Sequence, residues 1–154
     1  MAYCIDSRPS AGAPGEVHDT KLNPLGTVRE FSDGTYIYLE GVGSTVANDW
    51  VCFDNAFATT RLVTTSKGGV AIASAAIVAA KYGWYGYVGS FTAVCESSIL
   101  SNAYVYALSA GRADDAVVKN AQIQNVVTKS AGVAGATATV QINRPWIGAN
   151  DESV

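Results

Sequence analysis

Hydrophobic and polar positions alternate in short runs along most of the chain, and turn-forming residues separate the runs. A clear pair of runs flanks Asp33-Gly34, a turn sequence that tolerates positive φ and predicts a β-hairpin. The runs that predict strands are residues 28–31, 35–39, 50–54, 61–65, 69–79, 83–91, 93–95, 103–108, 121–128 and 136–142. Short strands at this spacing predict an all-β fold, a compact β-barrel or β-sandwich of antiparallel strands.

Two segments also have helical features. Residues 71–80 are rich in alanine, the best helix former, but their β-branched residues and the glycines on either side favour a strand. Residues 113–118 (ADDAVV) are compatible with a single helical turn, which is too short to be stable alone. The expected fold class therefore stays all-β.

The first 25 residues differ from the rest of the chain in composition and in hydrophobic pattern. They hold three of the four prolines and the only histidine, and they show no apolar periodicity. This composition predicts an extended N-terminal arm. We therefore divide the chain into an arm (residues 1–25), a β domain (26–148) and a C-terminal tail (149–154).

The segment YGWYGYVGSF, residues 82–91, has large apolar side chains on both faces of a predicted strand. Strict alternation places Trp84 on one face and Tyr85 on the other. A strand of this kind must be covered on both sides. We expect the domain core on the Trp84 side and a neighbouring subunit on the other. The residues predicted to form this subunit interface are Tyr85, Tyr87, Phe91, Tyr104 and Tyr106, with a ligand-binding platform as the alternative role of the tyrosines.

The amino-acid composition limits the kinds of molecule that the chain is expected to bind. The chain has 154 residues, a net charge of −3 and only 15% charged residues, against about 25% in an average soluble domain. This lean charged surface favours a protein that is partly covered in an assembly. Lysine and arginine are scattered singly, so nucleic acid is not expected as a partner. No apolar run approaches the roughly 18 residues of a membrane span, and the N-terminus lacks the order of a signal peptide.

Reactive groups are few, and the sequence predicts no enzyme, cofactor or metal. His18 is the only histidine, and its context predicts an exposed side chain. Cys4, Cys52 and Cys95 are far apart and suit buried thiols in a reducing compartment, with one disulfide or an intersubunit bridge as the alternative. The adjacent Asp114 and Asp115 lack the surroundings of a calcium loop and predict a solvated turn.

The order of these signals resembles that of a known group of proteins. It runs from LGTVREFSDGTYIYLEGVGSTVANDWVCFD through VAIASAAIVAAKYGWYGYVGSF to GATATVQINRPW, over about residues 25–148. In this order the chain resembles the head decoration, or cement, proteins of tailed bacteriophages. It departs from them in its long proline-bearing arm, in residues 95–102 and in the aromatic Tyr85 and Tyr87.

The resemblance implies a virion structural protein that stabilises the capsid. It would be made in the host cytoplasm and bind the outer surface of an icosahedral head as a homotrimer, with the major capsid protein as its partner. The arm residues expected to contact the capsid are Tyr3, Ile5, Arg8, Pro9, Pro14, Val17 and His18. Trp84 and the tyrosines support an alternative, a carbohydrate- or receptor-binding β-module of a head fibre or tail accessory protein.

Overall fold

The computed structural model describes residues 11–133 and 135–148, and this part of the chain is all-β with no helix. All pairings between its ten strands are antiparallel. The strands are β1 (Val28–Phe31), β2 (Gly34–Glu40), β3 (Trp50–Phe53), β4 (Thr59–Arg61), β5 (Gly68–Ala73), β6 (Tyr82–Val94), β7 (Val105–Ala107), β8 (Ala113–Asp114), β9 (Gln122–Thr128) and β10 (Thr137–Ile147).

One sheet joins the strands in the order β1-β2-β6-β5-β10-β9-β7-β8, and β3 and β4 continue from β5. The sheet is not closed into a barrel. The long strand β6 links its two halves, because the first part of β6 pairs with β2 and β5 and the second part pairs with β10. The strand order therefore ends at β1–β2 on one side and at β7–β8 on the other.

A β-bulge in β6 changes the faces predicted for residues 82–91. Tyr36 pairs with Gly86 while Thr35 pairs with Val88, so the register slips by one residue at Tyr87. Beyond the bulge the two faces exchange, and the ring of Phe91 packs against Tyr36 with centroids 5.3 Å apart. Tyr36 belongs to the same buried cluster as Trp84. The prediction that Phe91 shares the Tyr85 face is therefore wrong, because strict alternation does not pass through a bulge.

Three clusters of buried side chains hold the sheet together. The largest spans β3, β5 and the β6–β10 half of the sheet. A second lies on the other face of β3 and β5 and includes Ile37, Leu39, Ile77 and Tyr85. The third is an aromatic cluster that consists of Phe31, Tyr36, Tyr38 and Trp84. Because β3 and β5 bury both of their faces, the sequence shows a nearly continuous apolar run at residues 69–73.

Several predicted elements have different bounds in the structure. The strand expected over residues 69–79 ends at Ala73, and residues 74–81 form a loop in which Ala80 has a φ of 60°. The strand expected over 61–65 is Thr59–Arg61, and the helical turn expected from 113 contains the two-residue strand Ala113–Asp114. Strand β10 continues to Ile147 through a bulge at residues 143–145, which accommodates Pro145 inside a paired strand.

Candidate interaction surfaces

Residues 11–25, which we call the strap, consist of turns, bends and a single β-bridge at His18, and they pack on the β domain instead of reaching away from it. The backbone of His18 pairs with Tyr82 at the start of β6, with N–O distances of 2.8 and 3.0 Å. The Asn23 side chain donates to the Ala11 carbonyl (2.7 Å) and accepts from the Ala11 N–H (3.0 Å). The first contact holds the strap on β6, and the second holds the start of the strap against Asn23.

The His18 side chain is buried, so the prediction that it is exposed to solvent is wrong. Its Nδ1 lies 2.8 Å from the hydroxyl of Tyr38, and that hydroxyl accepts a bond from the Leu22 N–H at 3.2 Å. Its Nε2 lies 3.3 Å from a carboxylate oxygen of Glu16. One buried imidazole therefore joins the strap to β2.

The strap covers the aromatic cluster. The rings of Phe31 and Tyr38 contact Trp84 edge to face, at centroid distances of 5.2 and 5.1 Å. The indole N–H of Trp84 points toward the Ala11 carbonyl, 3.4 Å away, and Trp84 is wholly buried. Burial also raises the pKa of the Tyr38 hydroxyl. We call this aromatic cluster, Phe31, Tyr36, Tyr38 and Trp84, together with the strap that covers it, the sealed end.

Carboxylates along the strap are held in their charged form. The backbone N–H of Ala13 and the nearby His18 lower the pKa of Glu16. An ion pair with Lys81 lowers the pKa of Asp19. Both carboxylates are exposed, so these contacts position the strap more than they stabilise the fold.

Tyr85 is wholly buried inside its own chain, so the prediction that it contacts a neighbouring subunit is wrong. Ile77 from the loop at 74–81 belongs to the same cluster, and Phe57 packs against it. Burial raises the pKa of the Tyr85 hydroxyl. This hydroxyl lies near Thr59 but makes no full hydrogen bond to a described residue, because the Thr59 hydroxyl donates to the Glu40 carbonyl at 2.7 Å. The chain thus covers both faces of the first half of β6 by itself.

The other predicted interface residues keep some exposed surface. Tyr87 is half-buried beside Phe53, with ring centroids 6.0 Å apart, and Phe91 is half-buried in the position already described. Tyr104 is 68% exposed and Tyr106 is half-buried. The structure therefore separates Tyr104 and Tyr106, on and beside β7, from the pair on β6.

The outer face of β7, β9 and β10 carries aromatic and amide side chains that keep surface in water, of which two are exposed and three are half-buried. Tyr106 pairs with Gln122 across β7 and β9, and Gln124 pairs with Trp146 across β9 and β10. Alternation places Tyr104 on the same face as Tyr106. We call this set, Tyr104, Tyr106, Gln122, Gln124 and Trp146, the open face. The residues on the opposite side, Val105, Ile123 and Ile147, are buried in the largest cluster.

Two cavities lie beside these surfaces. One, of about 420 Å³, adjoins the open face, and its lining residues are Tyr106, Val117, Val118, Lys119, Asn120, Gln122 and Gly148. The other, of about 350 Å³, lies between Pro14 and Gly15 of the strap and the residues around Tyr36 and Phe91. The first cavity has the more exposed apolar side chain at its edge, since Val117 is 80% exposed.

The predicted capsid-contacting residues divide into three groups. Tyr3, Ile5, Arg8 and Pro9 lie outside the described residues. Pro14 is half-buried and His18 is buried on the domain, whereas Val17 is 42% exposed. Of the predicted contact residues within the strap, Val17 is therefore the one that is exposed, and Leu22, which the sequence did not single out, is a second exposed apolar side chain of the strap at 47%.

Three carboxylates in the body of the domain bond to neighbouring side chains. Buried Asp49 accepts a bond from Arg61 at 2.9 Å and caps the backbone N–H of Val46. Glu96 pairs with Arg112 at 3.0 Å, which lowers the pKa of Glu96. Asp114 accepts a bond from the Ser97 hydroxyl and is buried, so the solvated turn predicted there is wrong for this residue.

No cluster of potential metal ligands occurs among residues 11–133 and 135–148. Cys52 and Cys95 are free and buried, and burial raises the pKa of both thiols. The described chain also contains no helix with the length and apolar character needed to cross a membrane. Comparison of the chain with protein-family models, curated proteins and solved structures found no match.

Gln122, Gln124 and Trp146 were not singled out as candidate site residues by the sequence analysis. The alternation of the two glutamines with Ile123 marks one wet face of a strand, and this signal was present in the sequence. Trp146 follows Pro145, and the proline obscured the continuation of the strand. The joint position of these residues depends on the pairing of three strands that are distant in sequence.

Proposed function

We propose that this protein is a non-enzymatic decoration protein of a tailed-phage head, which binds the outer surface of the capsid as a homotrimer and stabilises it. The sequence resemblance suggests the class. The observation that supports the proposal is that the strap exposes the apolar side chains of Val17 and Leu22, while Trp84 and Tyr85 of β6 are buried within the chain. The folded domain can therefore contact another molecule through these exposed side chains while its core stays intact.

The strap is the surface that we assign to the capsid. Val17 and Leu22 are exposed there, while His18, between them in sequence, anchors the backbone to β6. An apolar contact made by an anchored segment loses less conformational entropy on binding than one made by a free arm. The strap can therefore support the capsid contact together with residues 1–10, which adjoin it in the chain.

Structural roles for the ionisable groups support the non-enzymatic part of the proposal. Asp49, Glu96 and Asp114 each bond to a neighbouring side chain of the same domain. These bonds hold loops and strand ends together. Capsid stabilisation needs contact area, and a trimer multiplies weak contacts through avidity.

The test uses assembled shells that lack decoration protein. We expect the purified protein to sediment with them and to have the mass of a trimer in light scattering. The double variant Val17→Asp with Leu22→Asp should lose shell binding at least tenfold, because it places two charges in an apolar contact. Val46→Asp is the control, since Val46 is 51% exposed and belongs to the loop between β2 and β3, outside the strap.

Two results would contradict the proposal. One is a protein that stays monomeric at high concentration and does not sediment with shells. The other is unchanged sedimentation of the strap double variant, which would remove the strap from the contact.

The alternative of a carbohydrate-binding module loses its first basis, because Trp84 is buried and cannot contact a sugar. The observation that favours a carbohydrate ligand lies instead on the open face, at the other end of the strand order.

A further inference from the structure

We propose that the open face and the cavity beside it form a binding site for a neutral oligosaccharide. This goes beyond capsid binding, because the open face lies on β7, β9 and β10, whereas the strap packs on β2 and β6. A head-bound protein attached through its strap would therefore keep this site available to a second partner.

The site combines flat rings with amides at short spacing. Gln124 and Trp146 are directly opposite on paired strands, as are Tyr106 and Gln122. Directly opposite side chains have Cβ atoms about 4.5 to 5.5 Å apart. The three strands therefore place two tyrosine rings and one indole around two primary amides within a few strand spacings.

Trp146 is connected to the cavity through Gly148. A Cβ atom added to Gly148 would lie 3.0 Å from the Trp146 ring, so the indole lies close against the backbone at that glycine. Gly148 is also part of the cavity wall, together with Tyr106 and Gln122. The aromatic surface and the cavity are therefore parts of one continuous site.

The polar groups of the site are available to a ligand. The side-chain amides of Asn120, Gln122 and Gln124 make no hydrogen bond to any part of the chain that the structure describes. Each amide offers both donors and an acceptor. A sugar presents hydroxyl groups at its edge and C–H groups on its faces, so it can bond to amides and pack on aromatic rings at the same time.

The charge of the site favours a neutral ligand. Lys119 is the one charged side chain among the described residues that line the cavity, and the chain carries a net charge of −3 with no basic cluster. A polyanion such as a nucleic acid would need several cations at this position. An uncharged oligosaccharide needs none.

The test is a glycan array that carries neutral oligosaccharides of glucose, galactose and N-acetylhexosamines, probed with the intact protein. We expect binding to a subset of these glycans. Tyr104→Ala, Trp146→Ala and Gln122→Ala should each weaken the affinity for the best glycan by about tenfold or more in calorimetry. Val46→Ala, a change at an exposed residue in a different region, should leave the affinity unchanged. All four side chains have exposed surface, and an unchanged melting temperature checks that each variant folds.

Absence of binding to any neutral glycan would overturn the proposal, as would equal affinity of the wild-type protein and the three open-face variants. A chain that ends at Gly148 tests a competing occupant, residues 149–154 of the same molecule. If the shortened chain binds a glycan and the intact protein binds none, the proposal for the intact protein is overturned.

A second copy of the chain is the other competing occupant. If Trp146→Ala converts a trimer to monomers and the protein binds no glycan, the open face is a subunit contact and the proposal fails. If the proposal holds, Tyr104 and Tyr106 leave the predicted trimer interface, and Tyr87 and Phe91 remain candidates for it. Shell sedimentation by the strap variants is measured separately, so the proposed function can stand or fall independently of this site.

Discussion

The sealed end and the open face are both aromatic surfaces of one sheet, but only the first is covered by its own chain. At the sealed end, Trp84 and Tyr38 are wholly buried beneath the strap. On the open face, Trp146 is 44% exposed and Tyr104 is 68% exposed. The difference shows that aromatic content on a strand does not indicate whether a surface belongs to the core. The position of a covering segment decides it.

The largest expected difference between the two ends is in the cost of removing a tryptophan. Trp84→Ala should lower the free energy of unfolding by roughly 3 to 5 kcal/mol, because it leaves a cavity in a packed aromatic cluster. Trp146→Ala should change it by less than about 1 kcal/mol, because that side chain keeps much of its surface in water. Urea denaturation of both variants measures this. Similar losses in the two variants would contradict the distinction between the two ends.

Removal of the strap up to residue 20 should have the next largest effect. A chain that begins at residue 21 lacks His18 and its contacts to Tyr38 and Tyr82. It should be less stable by at least about 2 kcal/mol, because several hydrogen bonds are lost and the aromatic cluster becomes exposed. A chain that begins at residue 11 keeps the strap and serves as the control. If both shortened chains melt at the same temperature, the strap does not seal the cluster.

A smaller effect is expected at Tyr85, where the sequence predicted a subunit contact. Tyr85→Phe should leave the free energy of unfolding within about 1 kcal/mol of the wild-type value or raise it, because the buried hydroxyl makes no full hydrogen bond in the described part of the chain and is only near Thr59. It should also leave the mass in solution unchanged. Thermal denaturation and light scattering measure these two outcomes, and a change of oligomeric state would return Tyr85 to an interface.

The smallest expected effect is a loosening of the strap in acid. Because contacts lower the pKa of Glu16 and Asp19, their contribution is present above the unfolded pKa values and is lost as the pH falls through the folded ones. Hydrogen exchange at residues 11–20 should therefore accelerate between about pH 5 and pH 3, after correction for the intrinsic rate. The double variant Glu16→Gln with Asp19→Asn should lack this change in that range. The same acceleration in the variant would assign it to other groups.

Much of the fold was predictable from the sequence, because its signals are local. The hairpin of β1 and β2 requires only a turn at Asp33-Gly34 and alternation on either side. The runs that became β3, β7 and β9 were also predicted within a few residues. The all-β class followed from these elements and is confirmed by the structure.

The covering of the faces was not predictable, because it depends on contacts between distant segments. The apolar surface at Tyr85 is covered in part by Ile77, which lies in a loop that the sequence suggested was a strand. The Trp84 side is covered by Ala11 and His18, more than 60 residues earlier in the chain. Sequence periodicity shows that a face is apolar, but not what packs on it.

The open face was hidden for a related reason. The tyrosines of β7 and the glutamines of β9 each showed alternation, but their meeting with Trp146 depends on strand order and on the bulge before Trp146. Neither property follows from local pattern. The predicted site residues Tyr104 and Tyr106 lie on this face, and the other three predicted interface residues lie elsewhere.

Acrylamide quenching of tryptophan fluorescence tests the distinction between the sealed and open ends most directly. The chain has three tryptophans, of which Trp50 and Trp84 are buried and Trp146 is 44% exposed. We predict that Trp146→Phe removes most of the quenchable fluorescence, and that Trp84→Phe leaves that fraction in place. Quenchable fluorescence that disappears in Trp84→Phe and persists in Trp146→Phe would contradict the account.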